Sequence, residues 1–137
     1  MFTGPTREGW CYYATSDIYL LPSLYEPFGL SILEAMASGL PVLVSRDCGA
    51  AELIHDGDDG LLIQEPRDAT EISVKLGALL KDADLRTRLG RQARRTALKY
   101  PWDRVARETE EVYEKVLLQK RGGAEGQPLS PDNETKA

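Results

Sequence analysis

The sequence predicts an α/β fold with a short parallel sheet in a three-layer arrangement, and three observations carry that expectation. Short apolar runs at Asp17–Leu21, Pro41–Ser45 and Leu61–Ile63 alternate with stretches of helical spacing, the order that right-handed crossovers impose on parallel strands. The middle run, Pro-Val-Leu-Val-Ser, is apolar without alternation, as in a strand covered on both faces. Apolar residues make up 42% and charged residues 28% of the 137 positions, the balance of a globular chain that can bury a core.

Each element has a local reason. The run Asp17–Leu21 is closed by Pro22, which cannot donate to a ladder. Ser23–Gly29 then holds Pro27 and Gly29, both turn formers. After it, Ile32, Leu33, Met36 and Ala37 fall at helical spacing, and Gly39 and Pro41 stop that helix. The strand Pro41–Ser45 leads to a short helical turn over Ala51–Ile54, a turn at Asp56–Gly60 and the strand Leu61–Ile63. Beyond Pro66 the chain is helical. Asp68 followed by Glu71 has the form of a capping box, with Ile72, Leu76, Leu79 and Leu80 on one face. A second helix starts near Asp82 or Asp84, carries Leu85, Leu89 and Ala93, and is weakened at Gly90 by about 1 kcal/mol relative to alanine. Pro101 breaks it. From Trp102 the apolar residues Val105, Ala106, Val112, Tyr113, Val116 and Leu117 follow the helical repeat. The expected domain spans residues 1–119. Residues 120–137 have almost no large apolar side chain, cannot offset the entropy of ordering, and read as a disordered tail.

Charge and composition exclude several classes of function. The net charge of −5 argues against nucleic acid as the main partner. It is unevenly spread, because Lys81–Arg107 carries an excess of six positive charges. A solvated helix face and contact with an anionic membrane surface or acidic partner both fit that stretch. Two cysteines, Cys11 and Cys48, and one histidine, His55, make a disulfide framework or a zinc site improbable. Cys48 reads as a small packed residue, and His55 as the end of a helical turn with no carboxylate array around it. Asp56–Gly60 superficially resembles a calcium loop, but Arg67 stands where a closing glutamate is needed. No GxGxxG or GxxxxGK[ST] cradle is present. No apolar run approaches the roughly 18–20 residues that cross a bilayer, and Met1–Trp10 lacks the layout of a signal peptide. The expected location is therefore cytoplasmic, with contact at the inner face of the membrane left as the alternative reading of the basic stretch.

One segment carries chemistry. From Pro22 to Met36 a strand ends, a Pro and Gly loop turns, and a helix begins near Leu30 or Ser31. The carboxyl ends of parallel strands face the ligand crevice, and a helix N-terminus attracts phosphate through free amides and its dipole. Gly29, with no side chain, lets an anion approach the amides from Phe28 to Ser31. Glu26 and Glu34 bracket the loop with seven residues between them, and ionised carboxylates accept from vicinal hydroxyls such as those of a ribose or hexose. By spacing alone, a glutamate serving only the helix dipole and another in water fit equally well.

The run from Glu26-Pro27-Phe28-Gly29-Leu30 through Glu34-Ala35-Met36-Ala37-Ser38-Gly39-Leu40-Pro41-Val42 resembles the Glu-x7-Glu signature of retaining glycosyltransferases of family 4, which have the GT-B fold. Ser16-Asp17-Ile18 leading to Pro22-Ser23, Glu52-Leu53-Ile54 with Asp56-Gly57, Gly60-Leu61-Leu62 and Tyr100-Pro101-Trp102 are similar in type and order. The resemblance implies the C-terminal half of the second of two Rossmann-like domains. It implies a nucleotide-diphosphate sugar donor, with Glu26 on the hexose hydroxyls close to the reacting centre and Glu34 on the ribose. The amides of Phe28, Gly29, Leu30 and Ser31 would touch sugar and phosphates. Transfer to an acceptor hydroxyl would proceed with retention and without a metal or other cofactor. The resemblance specifies the donor class and not the acceptor.

Departures from the family pattern qualify this. The acceptor-binding domain and the basic pair that neutralises the diphosphate have no counterpart in the chain, and Arg7 does not substitute for them. Cys48-Gly49-Ala50-Ala51-Glu52 stands where the family more often has Gly-Gly and then Pro before Glu. The isolated chain is expected to lack turnover. A competing reading is a non-catalytic module that docks on another chain, such as the missing N-terminal domain, through the Trp102–Leu117 face.

Overall fold

Three parallel strands organise the first of two units in the computed structural model, which describes residues 4–124. The strands β1 (Tyr19–Leu21), β2 (Val42–Ser45) and β3 (Leu61–Ile63) lie in that order across the sheet. Leu20 pairs with Leu43, and Leu43 with Leu61. All four residues of β2 are buried, the environment its unbroken apolar run requires. β2 begins one residue later than expected because Pro41 has no N–H to donate. Pro41 still takes part, its carbonyl accepting from the Tyr19 amide at 3.0 Å.

Side chains alternate across the sheet, so the core divides into two clusters. Val42 and Val44 pack with Ile32, Ala35 and Met36 of α2 (Leu30–Ala37) and with Ala93 and Ala97 of α4 (Ala83–Ala97). Leu43 and Ile63 pack on the other side with Leu79 of α3 (Ala69–Lys81) and Leu89 of α4. This is the layered parallel α/β architecture that the alternation of elements predicts. A helix that the periodicity does not show, α1 (Gly9–Thr15), precedes β1. It has no side-chain cap, no acidic residue in its first turn and no buried residue, so it lacks every signal by which a helix announces itself in sequence. The expected turn over Ala51–Ile54 is a 3₁₀ segment at Gly49–Leu53.

The capping of α3 differs from the expected box. Asp68 accepts from the amides of Thr70 and Glu71 as an N-cap should. Glu71 does not return to Asp68, whose own amide donates to the Glu65 carbonyl. It reaches further back, accepting from the Gln64 and Glu65 amides and pairing with Lys75 at 2.7 Å. These partners, the Gln64 amide foremost, pull its pKa from 4.5 down to about 2. Asp82 caps α4 through the Leu85 amide at 2.8 Å, which decides between the two candidate starts. Within the basic stretch, Arg86 donates to the Leu79 carbonyl, Arg88 to Gly57, Arg95 to Gln92, and Arg104 pairs with Glu108.

Asp56–Gly60 is a turn, as expected, with Gly57 at φ +83°. The turn also brings Asp59 back to His55, which overturns the expectation that His55 has no carboxylate beside it. Asp59 is only 2% exposed. Its carboxylate accepts from the His55 amide at 2.7 Å and from the Thr96 hydroxyl at 2.7 Å, with His55 Nδ1 at 3.3 Å. It thereby ties the turn to α4. Removing one partner of a buried charged network leaves the others unsatisfied. Asp59→Ala is expected to lower the unfolding free energy by about 3 kcal/mol in urea titrations.

The second unit begins at Pro101 and carries α5 (Trp102–Ala124). Trp102, Val105, Val112, Tyr113, Val116 and Leu117 on it are exposed. The helix runs on past Lys120, so residues 120–124 of the expected tail are helical, and residues 125–137 lie outside the described residues. Among the described residues no helix is long and apolar enough to cross a membrane.

Candidate functional site

Where β1 ends, the chain crosses the carboxyl end of the sheet and is stitched to the loop that follows β2. Glu26 forms an isolated parallel bridge with Cys48. The Gly49 amide donates to the Glu26 carbonyl at 3.1 Å and the Ala50 amide to the Phe28 carbonyl at 2.8 Å. The two backbones approach so closely that a Cβ on Gly49 would lie 2.2 Å from the Pro27 carbonyl oxygen. The segment that departs from the family pattern, Cys48–Ala50, is therefore the brace of the candidate loop. Cys48 is buried, and burial with the Glu26 charge pushes its thiol up, as befits a packed residue rather than a reactive one.

Gly29 is the N-cap of α2 and holds φ +87°, ψ 62°, a left-handed conformation that glycine adopts without strain. A side chain there would also meet Ile32 Cδ1 at 2.8 Å. The Ile32 amide turns back to the Gly29 carbonyl at 2.9 Å. No side chain caps the helix, so the first-turn amides, including those of Leu30 and Ser31, are the groups a helix leaves without an internal partner. They lie at the carboxyl end of a parallel sheet, where an anion is stabilised by the same amides and by the dipole.

The six sequence-derived residues fall on one end of the fold. Glu26, half-buried, Phe28, 41% exposed, and Gly29 are on the loop, and Leu30, 50% exposed, Ser31 and Glu34 are on α2. Glu34 sits in the second turn of α2 and is exposed. Burial pushes the Tyr19 phenol up, the Ser31 hydrogen bond opposes it, and Cys48, Glu26 and Glu34 add smaller upward effects. The Ser31 hydroxyl is 2.7 Å from Tyr19 Oη.

Two tyrosines join this site that sequence reasoning did not find. Tyr13 Oη donates to Glu34 Oε2 at 3.0 Å, and the rings of Tyr13 and Tyr19 lie 6.2 Å apart, tilted by 58°. Tyr13 belongs to α1, the helix without a sequence signal, and no spacing rule links positions 13 and 34. Among the described residues no group of three His, Cys, Asp or Glu side chains is placed to hold a metal ion.

Comparison with known proteins bears on this geometry. Residues 1–96 match the family described as Glycosyl transferases group 1. The D-inositol 3-phosphate glycosyltransferase of Corynebacterium urealyticum is 33% identical over 94% of this chain and 30% of its own length. A sucrose-phosphate synthase structure from Thermosynechococcus elongatus superposes with a TM-score of 0.71 at 30% identity, over 79% of this chain and 27% of that one. The Anabaena protein HepE, solved with UDP and with UDP-glucose, gives 0.69 at 26% identity, over 75% of this chain and 29% of that one. The chain spans 26–30% of the length of the first curated relatives it matches. The site lies on an α/β unit similar to those of GT-B glycosyltransferases, and the extent of these matches establishes that the chain belongs to the group 1 glycosyl transferase family.

Proposed function

We infer that this chain is the donor-binding part of a retaining glycosyltransferase of the family 4 type, and that its site takes a nucleotide-diphosphate sugar. The observation that carries the reading is the uncapped N-terminus of α2 behind a left-handed Gly29 at the carboxyl end of a parallel sheet, with Glu26 on the loop before it and Glu34 in its second turn. The first-turn amides suit a diphosphate. Glu34 offers carboxylate oxygens to the vicinal hydroxyls of the ribose, and Glu26 to those of the hexose beside the reacting centre. Phe28 and Gly29 supply the close backbone approach. That HepE is solved with UDP and UDP-glucose on a similar fold supports this class of ligand.

The chemistry follows from the leaving group. Departure of the sugar places negative charge on the nucleotide diphosphate, and amides oriented in advance stabilise that charge without reorganising. The departing phosphate oxygen can take the acceptor hydroxyl's proton on the same face, which gives retention with no metal in the step. The acceptor would be held by parts of the protein beyond this span, so this chain binds donor and does not complete transfer alone.

Saturation-transfer NMR with UDP-, GDP- and ADP-sugars tests the reading. One of them is expected to bind, and Glu34→Ala to weaken it at least tenfold, since a charge-assisted hydrogen bond is worth about 1.5–3 kcal/mol. Binding untouched by that substitution, or no binding of any of the three, would count against it.

A further inference from the structure

Resting on the donor-site reading above, we propose that Tyr13 is a positioning residue that orients the Glu34 carboxylate before ligand arrives. Glu34 is exposed on α2, and an exposed glutamate has freely turning bonds whose freedom must be lost on binding. The Tyr13 phenol removes part of that freedom beforehand. Its Oη donates to Oε2 at 3.0 Å, taking one of the roughly four acceptor directions of the carboxylate and leaving Oε1 to meet a vicinal diol. Pre-ordering of this kind raises affinity without adding a contact to the ligand.

The phenol is itself held. α1 has no buried residue, yet the half-buried ring of Tyr13 packs on the core cluster of Ile32, Met36 and Val44. Tyr19 supports it from the sheet side, the ring separation of 6.2 Å lying within the range of favourable tilted aromatic pairs. Tyr19 in turn fixes Ser31, three residues before Glu34 on the same helix face. Burial first, then the hydrogen bond and charge of Glu34, push the Tyr13 phenol up to about 12. It therefore stays protonated and able to donate across the neutral range.

The test separates ribose recognition from folding. The full chain is titrated by calorimetry with UDP, GDP and ADP, and the tightest is compared with its 2′,3′-dideoxy counterpart, alongside thermal melting. The parent is expected to prefer the ribonucleotide. Tyr13→Phe keeps the ring and is expected to cut that preference about fivefold, with dideoxynucleotide affinity and melting unchanged. In a Glu34→Gln background it should have no further effect, as two residues acting through one contact are non-additive. Tyr12→Phe, at the neighbouring exposed tyrosine of α1, is expected to keep the preference. The proposal is overturned if Glu34→Gln abolishes the preference while Tyr13→Phe leaves it intact, if Tyr13→Phe weakens both nucleotides equally, or if Tyr12→Phe matches its effect. If the parent binds none of the three, or shows no preference and Glu34→Gln changes nothing, the donor-site reading itself falls and takes the proposal with it.

Discussion

Gly90→Ala is expected to melt about 10 °C below the parent protein. Gly90 lies in α4 where that helix crosses the end of α2, and a Cβ there would sit 2.1 Å from the Gly39 carbonyl oxygen and 3.4 Å from the Pro41 nitrogen. Both neighbours are backbone atoms, so no side chain can rotate aside. Gly39 is itself in a left-handed conformation at φ +83° and cannot swing freely. Overpacking of this kind costs about 3 kcal/mol, partly offset by the 1 kcal/mol or so that alanine gains in a helix. Considered as a helix alone, the substitution has the opposite sign. Gly77 in α3 supplies the control, because a Cβ there meets nothing within 4 Å, and Gly77→Ala should melt at or above the parent. A Gly90→Ala protein more stable than the parent would show that the two backbones do not approach as closely as the structure has them.

Gly49→Ala is expected to reduce nucleotide-sugar binding at least tenfold, the scale of one lost charge-assisted hydrogen bond of about 1.5–3 kcal/mol. The added methyl would lie 2.2 Å from the Pro27 carbonyl oxygen and 2.9 Å from Phe28 Cα. The loop has to move away from its brace, and the hydrogen bonds from Gly49 to Glu26 and from Ala50 to Phe28 lengthen with it. Glu26, Phe28 and Gly29 shift together while α2 stays seated through Ile32 and Met36 in the core. The melting temperature should therefore fall less than for Gly90→Ala. The discriminating measurement is donor affinity by calorimetry set against melting. Unchanged affinity would mean that the loop is not the ligand-facing element.

The turn at Gly29 was legible before any coordinates, because a Pro and Gly turn between an apolar run and a helical repeat is written in adjacent residues. The same holds for the order of strands and helices from β1 onward and for the Asp68 cap. The resemblance in the Glu26–Val42 run added the family, which the matches over residues 1–96 bear out. The Glu71 contacts were legible only in part, since the carboxylate passes over the expected amide to two others further back.

What sequence alone determined is thus the local grammar of this protein, meaning which residues turn, which pair in strands and which face a core, since periodicity and turn chemistry act over a few neighbouring residues. Tertiary structure decided the rest. Tyr13 reaches Glu34 across 21 positions and Thr96 reaches Asp59 across 37. The glycines at 49 and 90 matter for the distance to another backbone rather than for their own conformation. Such distances arise only once two layers pack against one sheet, because the close packing of the whole interior, and not the preference of any one residue, sets how near two remote segments come.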